Sequence, residues 1–551
     1  MVFSFFSNEQ PFSLMLLTSR IILGKNWENT TIKLEGAFQV KRFRKWIRVE
    51  PGNASIPEEL HAENEENAEL TLDLNQNEMT FRDIFENCSD INFRKICLDG
   101  QEKQLVIYLA TLVNEELIDD HILRPILDNA IISAGSTKQS SNVNEIVRQL
   151  LDGHAAILTG TDNKAVLVKA NGVKQRSLEE PSSEPVIRGP RDGFIENIST
   201  NIGLLRARLK TPRLKMEAVT IGSLSQTQVV LSYITGVATE TLIDEVRERV
   251  KRIRIDAILD SGYIEEFIED LPYSPFPQVH SSERPDVVTA ELLEGKIAIL
   301  VDNSPFVLMV PMTFWTGLQA SEDYYVRWPI ATFVRWIRFL FIFIAIFAPS
   351  LYVAVTTFHQ EMIPTNLVLS IASSREAVPF PAMFEALSME IVFEALREAG
   401  IRLPKQIGQA ISIVGALVIG QAAVQAGIIS APVVIIVSIT GIATFAIPRY
   451  NFASGIRLLR FPILFLAGTL GLYGIVLGFL CIVLHVASLR SFGVPYLAPL
   501  GPITVTSLKD ILIRVPIWAR GPRPLATGNS DSVREQAGQK PSPFREGREG
   551  N

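Results

Sequence analysis

From about residue 330 onward the charges that punctuate the chain thin out. Phe339–Gln360, Gln406–Pro448 and Phe461–Leu489 carry no Asp, Glu, Lys or Arg over 22, 43 and 29 residues. A bilayer core needs roughly 20 apolar residues per helix. The first and third stretches therefore predict one span each, and the middle one predicts two, broken by a tight turn at Ser430, Ala431 and Pro432. Met362–Ser374 is too short to cross alone. The run PAMFEALSMEIVFEALREAG after it sets Glu385, Glu390, Glu394 and Glu398 among Phe384, Leu387, Ile391 and Leu396, the pattern of an interfacial or re-entrant hairpin.

Ahead of this region the pattern is that of a soluble chain, and it repeats. LLDGHAAIL (Leu150–Leu158) and LLEGKIAIL (Leu292–Leu300) match at a constant offset of 142, and AVLV at Ala165 falls opposite VLMV at Val307. Each copy predicts a helix stopped by a glycine, Gly153 or Gly295, and then a strand hairpin, because glycine adopts the left-handed conformation of a helix end without steric cost. KMEAVTIGSL and QVVLSYITGVA, joined by polar SQTQ, predict another hairpin. Leu242, Ile243, Val246, Val250, Ile253 and Ala257 recur at helical spacing over Thr239–Leu259.

The expected architecture is an α+β/α multidomain chain, with two soluble α/β subdomains followed by an α-helical membrane domain of about four transmembrane helices. The expected boundaries are a partly disordered leader at 1–79, subdomains at 80–185 and 186–325, the membrane domain at 326–490, a cytoplasmic membrane-proximal segment at 491–520 and a disordered tail at 521–551. The leader carries the basic run VKRFRKW and the acidic run EELHAENEENAE, both read as solvated. No cleavable signal is expected, because the apolar run Phe12–Leu17 is short and has no positive residue before it.

Charge sets the topology. Arg327, Arg335 and Arg338, beside Trp328 and Trp336, mark a cytoplasmic edge and put the soluble half inside. Four spans return the tail to that side, in agreement with Arg490, Lys509, Arg514, Arg520 and Arg523. Arg449, Arg457 and Arg460 then fall outside, against the same rule.

Chemistry-bearing motifs are scarce. The six histidines lack metal-site spacing, and no phosphate loop, nucleophile elbow or dinucleotide fingerprint is present, so the chain reads as a non-enzyme without cofactor, catalytic or metal residues and without a nucleic-acid partner. Cys88, Cys97 and Cys481 read as reduced structural thiols. SSERPDVVTAELLEG, Ser281–Gly295, is the one polar stretch with functional promise. Arg284, Asp286 and Glu294 can form an ion-paired site, although Asp286 after Pro285 is more simply a helix start and Arg284 its local partner.

The run PFPQVHSSERPDVVTAELLEGKIAILVDNSPFVLMVPMTF, with SEDYYVRW after it, resembles the GerA family of spore germination proteins, specifically the A subunit of the nutrient germinant receptor. So do SEPVIRGPRDGF, SREAVPFPAMFEALSMEI, REAGIRLPKQIGQAISIVGALVIGQAAVQAGIIS and SFGVPYLAPLGP, which together span roughly residues 70 to 520. Asn303 stands where the family's turn usually has glycine. The resemblance implies a multispanning subunit of the spore inner membrane with its soluble half on the cytoplasmic side. It implies a homo-oligomeric, nutrient-gated cation channel in membrane lipid, with a B subunit resembling an amino-acid transporter and a C-subunit lipoprotein as partners. Some members instead accompany a dipicolinic acid release channel.

The residues bear on that expectation in one place. Within IVGALVIGQAAVQAG, Gln421 and Gln425 share a helix face that Val414, Leu417 and Val418 extend, while glycines and alanines on the other faces permit close helix packing. In a ring this predicts a pore lined by Val414, Leu417, Val418, Gln421 and Gln425; two intramembrane glutamines bonding neighbouring helices is the competing reading. For the soluble half, Arg284, Pro285, Asp286, Glu294, Gly295 and Asp302 form the expected coupling motif. A non-conducting scaffold that transmits the signal is the alternative, and a secondary transporter, which lacks its usual repeat here, ranks third.

Overall fold

The computed structural model describes residues 68–98, 101–127, 137–172, 180–181, 183–402, 418, 420–501 and 510–520, with isolated positions at 523, 534 and 539–541. The leader up to residue 67, most of the tail beyond 520, and the predicted pore residues Val414 and Leu417 lie outside the described residues. So does the side chain of Cys97; Cys88 and Cys481 are free thiols.

The first sheet contains β1 (Ile91–Leu98), β2 (Gln101–Leu109), β3 (Thr137–Ser140), β4 (His154–Thr159) and β5 (Ala165–Lys169), in the order β1-β2-β4-β5-β3. The second contains β6 (Leu214–Ile221), β7 (Thr227–Ile234), β8 (His280–Ser282), β9 (Ile297–Val301) and β10 (Val307–Val310), in the order β6-β7-β9-β10-β8. Every pairing in both sheets is antiparallel, and the two orders are the same topology. The registers coincide as well. Ala156 faces Leu167 and Lys138 faces Leu167 in the first sheet; Ala298 faces Met309 and His280 faces Met309 in the second, each 142 residues later. The sequence echo is therefore one end of a repeated module.

Both modules have three layers, because each sheet carries apolar side chains on both faces. In the first, α1 (Leu74–Ile84) and α3 (Val143–Leu151) bury Phe81, Ile146 and Leu150 against Leu105, Ile107 and Leu158. The helical segment α2, residues 115–127, covers Val106, Tyr108 and Ile157 on the other face with Ile118, Ile122 and Ile126. In the second, α4 (Ile198–Arg208) and α7 (Pro285–Leu292) pack on Val230, Ala298 and Leu300, and α5 (Glu240–Arg252) and α6 (Ser261–Ile268) on Leu231, Ile299 and Leu308. The helix expected over Thr239–Leu259 ends at Arg252. Beyond it, the carbonyls of Ile255 and Asp256 accept the amides of Ser223, Leu224 and Ser225 in the β6–β7 turn, so this backbone is committed to the hairpin rather than to a further helical turn.

The modules interlock. Asn87 and Ser89 exchange backbone hydrogen bonds with Met216 of β6, and Asp90 accepts two bonds from the fully buried Arg206, at 2.8 and 2.9 Å. Removing one partner of such a pair costs about 3–5 kcal/mol, since the other charge stays buried.

The helical half comprises α8 (Trp328–Phe358), α9 (Thr365–Arg375), α10 (Ala382–Arg402), α11 (Ala431–Phe445), α12 (Tyr450–Leu470) and α13 (Leu472–Ser488). Two of these, α8 and α12, are long and apolar enough to cross a membrane; α11 and α13 are apolar but shorter. The third charge-free stretch was expected as one span. It divides instead between α12 and α13 at Gly471, whose φ of 63° is open to glycine at little cost. The break expected at Ser430–Pro432 is present, with Ser430 as the N-cap of α11 and Pro432 in its first turn.

Candidate functional site at the junction of sheets and helices

The predicted coupling residues sit where the second module meets the helices. Arg284 is the N-cap of α7 but does not cap it by its side chain. Its guanidinium is fully buried. It donates to the carbonyls of Glu184 (3.3 Å) and Pro190 (2.8 Å) and to the Asp286 carboxylate (2.9 Å). Pro285 opens the helix, where its missing N–H costs nothing. Asp286 also accepts the hydroxyl of Tyr325, at 2.5 Å, three residues before α8 begins. One carboxylate thus ties the module to the entry of the first long apolar helix. Partial burial, and then this hydrogen bond, raise the Tyr325 hydroxyl above its ordinary range.

Glu294 is not part of that cluster. It pairs with Arg520 (3.4 Å) and Arg534 (3.1 Å), so the three-member site of Arg284, Asp286 and Glu294 does not assemble. Gly295 has φ +86° and Gly153 has φ +79°, the left-handed ends expected of both helices. Asp302 accepts the amide of Ile198 at 3.3 Å and holds the start of α4. Asn303 supplies the turn with φ +67°, a conformation that asparagine tolerates better than most residues.

Sequence reading missed the groups on the far side of the joint. Arg449, Arg457 and Arg460, the three cations that violated the topology rule, are all buried and face carboxylates: Glu184 at 2.5 Å, Glu394 at 3.5 Å, and Glu390. Arg460 also donates to the Ala345 carbonyl (2.9 Å) and to Thr444 (3.1 Å). Glu385 accepts the amide (3.0 Å) and hydroxyl (2.7 Å) of Ser430 at the start of α11. The signal was available. Four glutamates on α10 and three arginines at the start of α12 are complementary sets within an otherwise apolar region. Cations whose charge is consumed by internal carboxylates do not report orientation.

Apolar contacts close the joint. Phe276 packs on Phe314, Phe452, His485 and Tyr496 with ring centroids 6.1–6.4 Å apart. Gly455 of α12 lies against the Pro275 carbonyl so closely that a Cβ there has no room. The membrane-proximal segment joins the same assembly: Asp510 accepts from Arg520 (2.7 Å), Arg335 and the Tyr324 hydroxyl (3.0 Å), and Asp323 takes Arg335 (3.0 Å) and Arg338 (2.8 Å).

Of the predicted pore residues within the described region, Val418, Gln421 and Gln425 are all exposed, while Gly420 is buried beside Val434 of α11. No group of three or more His, Cys, Asp or Glu side chains able to hold a metal occurs among the described residues.

Residues 79–526 match the model of the Bacillus/Clostridium GerA spore germination protein family. The chain is 48% identical over 475 residues to the uncharacterized membrane protein YfkQ of Bacillus subtilis, covering 84% of this chain and 93% of that protein. It is 45% identical over 471 residues to spore germination protein KA of Bacillus subtilis (83% and 87% covered) and 38% identical over 467 residues to spore germination protein GerLA of Bacillus cereus (82% and 95% covered). The crystal structure of the N-terminal domain of the A subunit of the Bacillus megaterium spore germinant receptor GerK3 aligns at 31% identity and a TM-score of 0.36, over 45% of this chain and 98% of that one. With the match running through both sheet modules, the junction and the helices, the chain belongs to the GerA family of spore germination proteins.

Proposed function

We propose that this chain is the A-type membrane subunit of a spore germinant receptor, and that it turns nutrient recognition into germination as a homo-oligomeric, nutrient-gated cation channel. The observation that carries the reading is the face of Val418, Gln421 and Gln425. It is amide-bearing and uncovered in the single chain, with Val418 56% exposed. Neighbouring copies in a ring would complete such a face as a polar lining beside an apolar collar that gates by dewetting. The proposed setting is the spore inner membrane with the sheet modules on the core side. The partners are a B subunit resembling an amino-acid transporter, which recognises the nutrient, and a C-subunit lipoprotein.

Ion release from spores tests this. Gln421→Ala, Gln425→Ala and Val414→Ala are expected to alter spontaneous or nutrient-triggered cation release while the protein stays assembled, and normal release from all three removes the pore assignment. A non-conducting signal-transmitting subunit is the second reading. The Glu184–Arg449 and Asp286–Tyr325 contacts across the joint favour it, since they serve transmission with or without a pore. Reconstituted protein that never conducts, alone or with its partners, decides for that reading. Gly295→Val tests the joint itself: unchanged assembly and germination would remove the second module from coupling.

A further inference from the structure

A surface in water turns its charges outward and its large apolar side chains inward. The membrane-proximal segment 510–520 does the reverse. Leu512, Ile513, Ile517 and Trp518 stand exposed, Ile513 by 47% and Ile517 by 56%, whereas Arg514 is only 4% exposed and Asp510 and Arg520 are partly covered. A single exposed apolar residue is ordinary, but four within residues 512–518 form a patch.

The charged groups of the segment face the protein because α8 and the turn before it supply their partners. Arg514 donates to the carbonyls of Asp323 and Tyr324, both at 3.1 Å, and its amide donates to the Thr332 hydroxyl at 3.1 Å. Asp510 accepts from the Tyr324 hydroxyl (3.0 Å) and from Arg520 (2.7 Å), and the Trp336 indole N–H donates to the Leu512 carbonyl at 2.8 Å. These bonds fix which way the segment faces. Its polar groups are spent on the protein, and its apolar ones are left outside.

What covers the patch follows from where it lies. The Trp336 bond seats it beside a face of α8 on which Phe333, Trp336, Leu340 and Phe343 are exposed at helical spacing, and α8 is long and apolar enough to cross a membrane. Trp328, Trp336 and Trp518 are all exposed around the entry of that helix, as suits a bilayer interface, where indole rings sit at headgroup level. The tail beyond Arg520 brings a cation, Lys540, 5.9 Å from the centre of the Trp518 ring, but few apolar groups: Leu525, Val533 and Phe544 are its large ones.

We propose that residues 510–520 lie in the membrane interface as an in-plane anchor, with Leu512, Ile513, Ile517 and Trp518 set among the lipid headgroups and upper acyl chains beside the entry of α8. The occupant is the bilayer itself. Through Asp510 and Arg514 the anchor holds Tyr324, and the next residue, Tyr325, bonds Asp286, so the level of the bilayer surface is tied to the second sheet module. This requires α8 to cross the membrane but requires no pore.

Spin-label depth measurements on the full chain test the anchor, in nanodiscs of phosphatidylethanolamine and phosphatidylglycerol and in a Cys88→Ser, Cys97→Ser, Cys481→Ser background. Nitroxides are attached at Ile513→Cys and Ile517→Cys, with Phe343→Cys as the lipid reference and Leu224→Cys, in the β6–β7 turn, as the aqueous one. All four native side chains are exposed, so the labels displace no buried group. The labels at Ile513 and Ile517 are expected to meet dissolved oxygen more than an aqueous nickel chelate, at a depth of about 5–10 Å into the headgroup and acyl boundary. Nickel access equal to that at Leu224 would put the segment in water, and exclusion of both reagents would put it against protein, whether a second copy or the tail; either result overturns the proposal. A lipid reading at Phe343 in the same samples would assign that failure to the anchor, and a water reading there would remove the membrane crossing of α8 as well.

Discussion

At the N-cap of the helix before the fourth strand, the first module has Asn142 and the second has Arg284, 142 residues later. Asn142 accepts the amides of Asn144 (2.9 Å) and Glu145 (3.2 Å) and closes its own helix. Arg284 has only donors, so it cannot cap; it binds the linker carbonyls and Asp286 instead. The same exchange recurs nearby. Lys138, Gln149 and His154 are exposed or half-buried, whereas their counterparts His280, Glu291 and Lys296 form a buried trio with His280 Nδ1 2.8 Å and Lys296 Nζ 3.2 Å from Glu291. One scaffold thus serves twice, once as a self-contained module and once as a joint. At these equivalent positions charge moves inside in the copy that packs on the helices, where a second surface covers it and supplies partners.

The largest test of this contrast is a pair of truncations at the cap. Arg284→Ala should destabilise the chain by about 3–5 kcal/mol, since it strands the Asp286 charge in the interior. Asn142→Ala should cost only about 1 kcal/mol, the usual value of a cap. Thermal unfolding of the detergent-solubilised chain ranks the two, and equal losses would break the distinction.

Acid should separate the modules next. Burial works against the Glu291 charge, but His280, Lys296 and Arg449 outweigh it and hold the pKa at about 2. A depressed carboxyl contributes stability that is fully present above its unfolded pKa and lost as pH falls through the folded one. Up to about 3 kcal/mol should therefore disappear between about pH 4.5 and pH 2. Glu291→Gln, which installs the residue of the first module, should abolish that step in a pH series of unfolding temperatures. An unchanged acid profile would show that the trio is not its source.

The glycine stops should differ less. Ala at either position adopts a left-handed φ at about 1–2 kcal/mol. At Gly153 a new Cβ would also meet Asn171 Oδ1 at 2.5 Å and the Leu112 carbonyl at 3.0 Å, so Gly153→Ala should cost more than the backbone contribution alone, as unfolding temperatures would show. The smallest effect belongs to the next equivalent pair. Asp152 meets Lys210 across an exposed bridge, whereas Glu294 meets Arg520 and Arg534 with its side chain only 23% exposed. Asp152→Asn should change stability by about 0–1 kcal/mol. Glu294→Gln should do somewhat more and should increase protease access near residues 510–534.

Much of this was legible along the chain. The 142-residue offset fixed the helix, the glycine stop and the hairpin of both modules, because local patterning and a left-handed residue are enough to specify them. The sequence pattern did not reveal that the hairpin before each copy belongs to the same repeat, since β2 and β7 pair with β4 and β9 across about fifty to seventy residues of unlike sequence. The single span expected over Phe461–Leu489 failed for a related reason. An absence of charge measures apolarity and not continuity, and Gly471 breaks the run without any polar residue to announce it.

The sequence by itself determined the soluble and apolar halves, the repeated module, the left-handed stops and the family, all of which follow from the composition and order of neighbouring residues. Only the tertiary structure decided what the charges do. Arg284 became a clamp on a linker a hundred residues upstream, and Arg449, Arg457 and Arg460 became internal partners of Glu184, Glu394 and Glu390 rather than markers of a membrane side. A buried charge is stable only beside its partner, and which partner reaches it is a property of the packed chain.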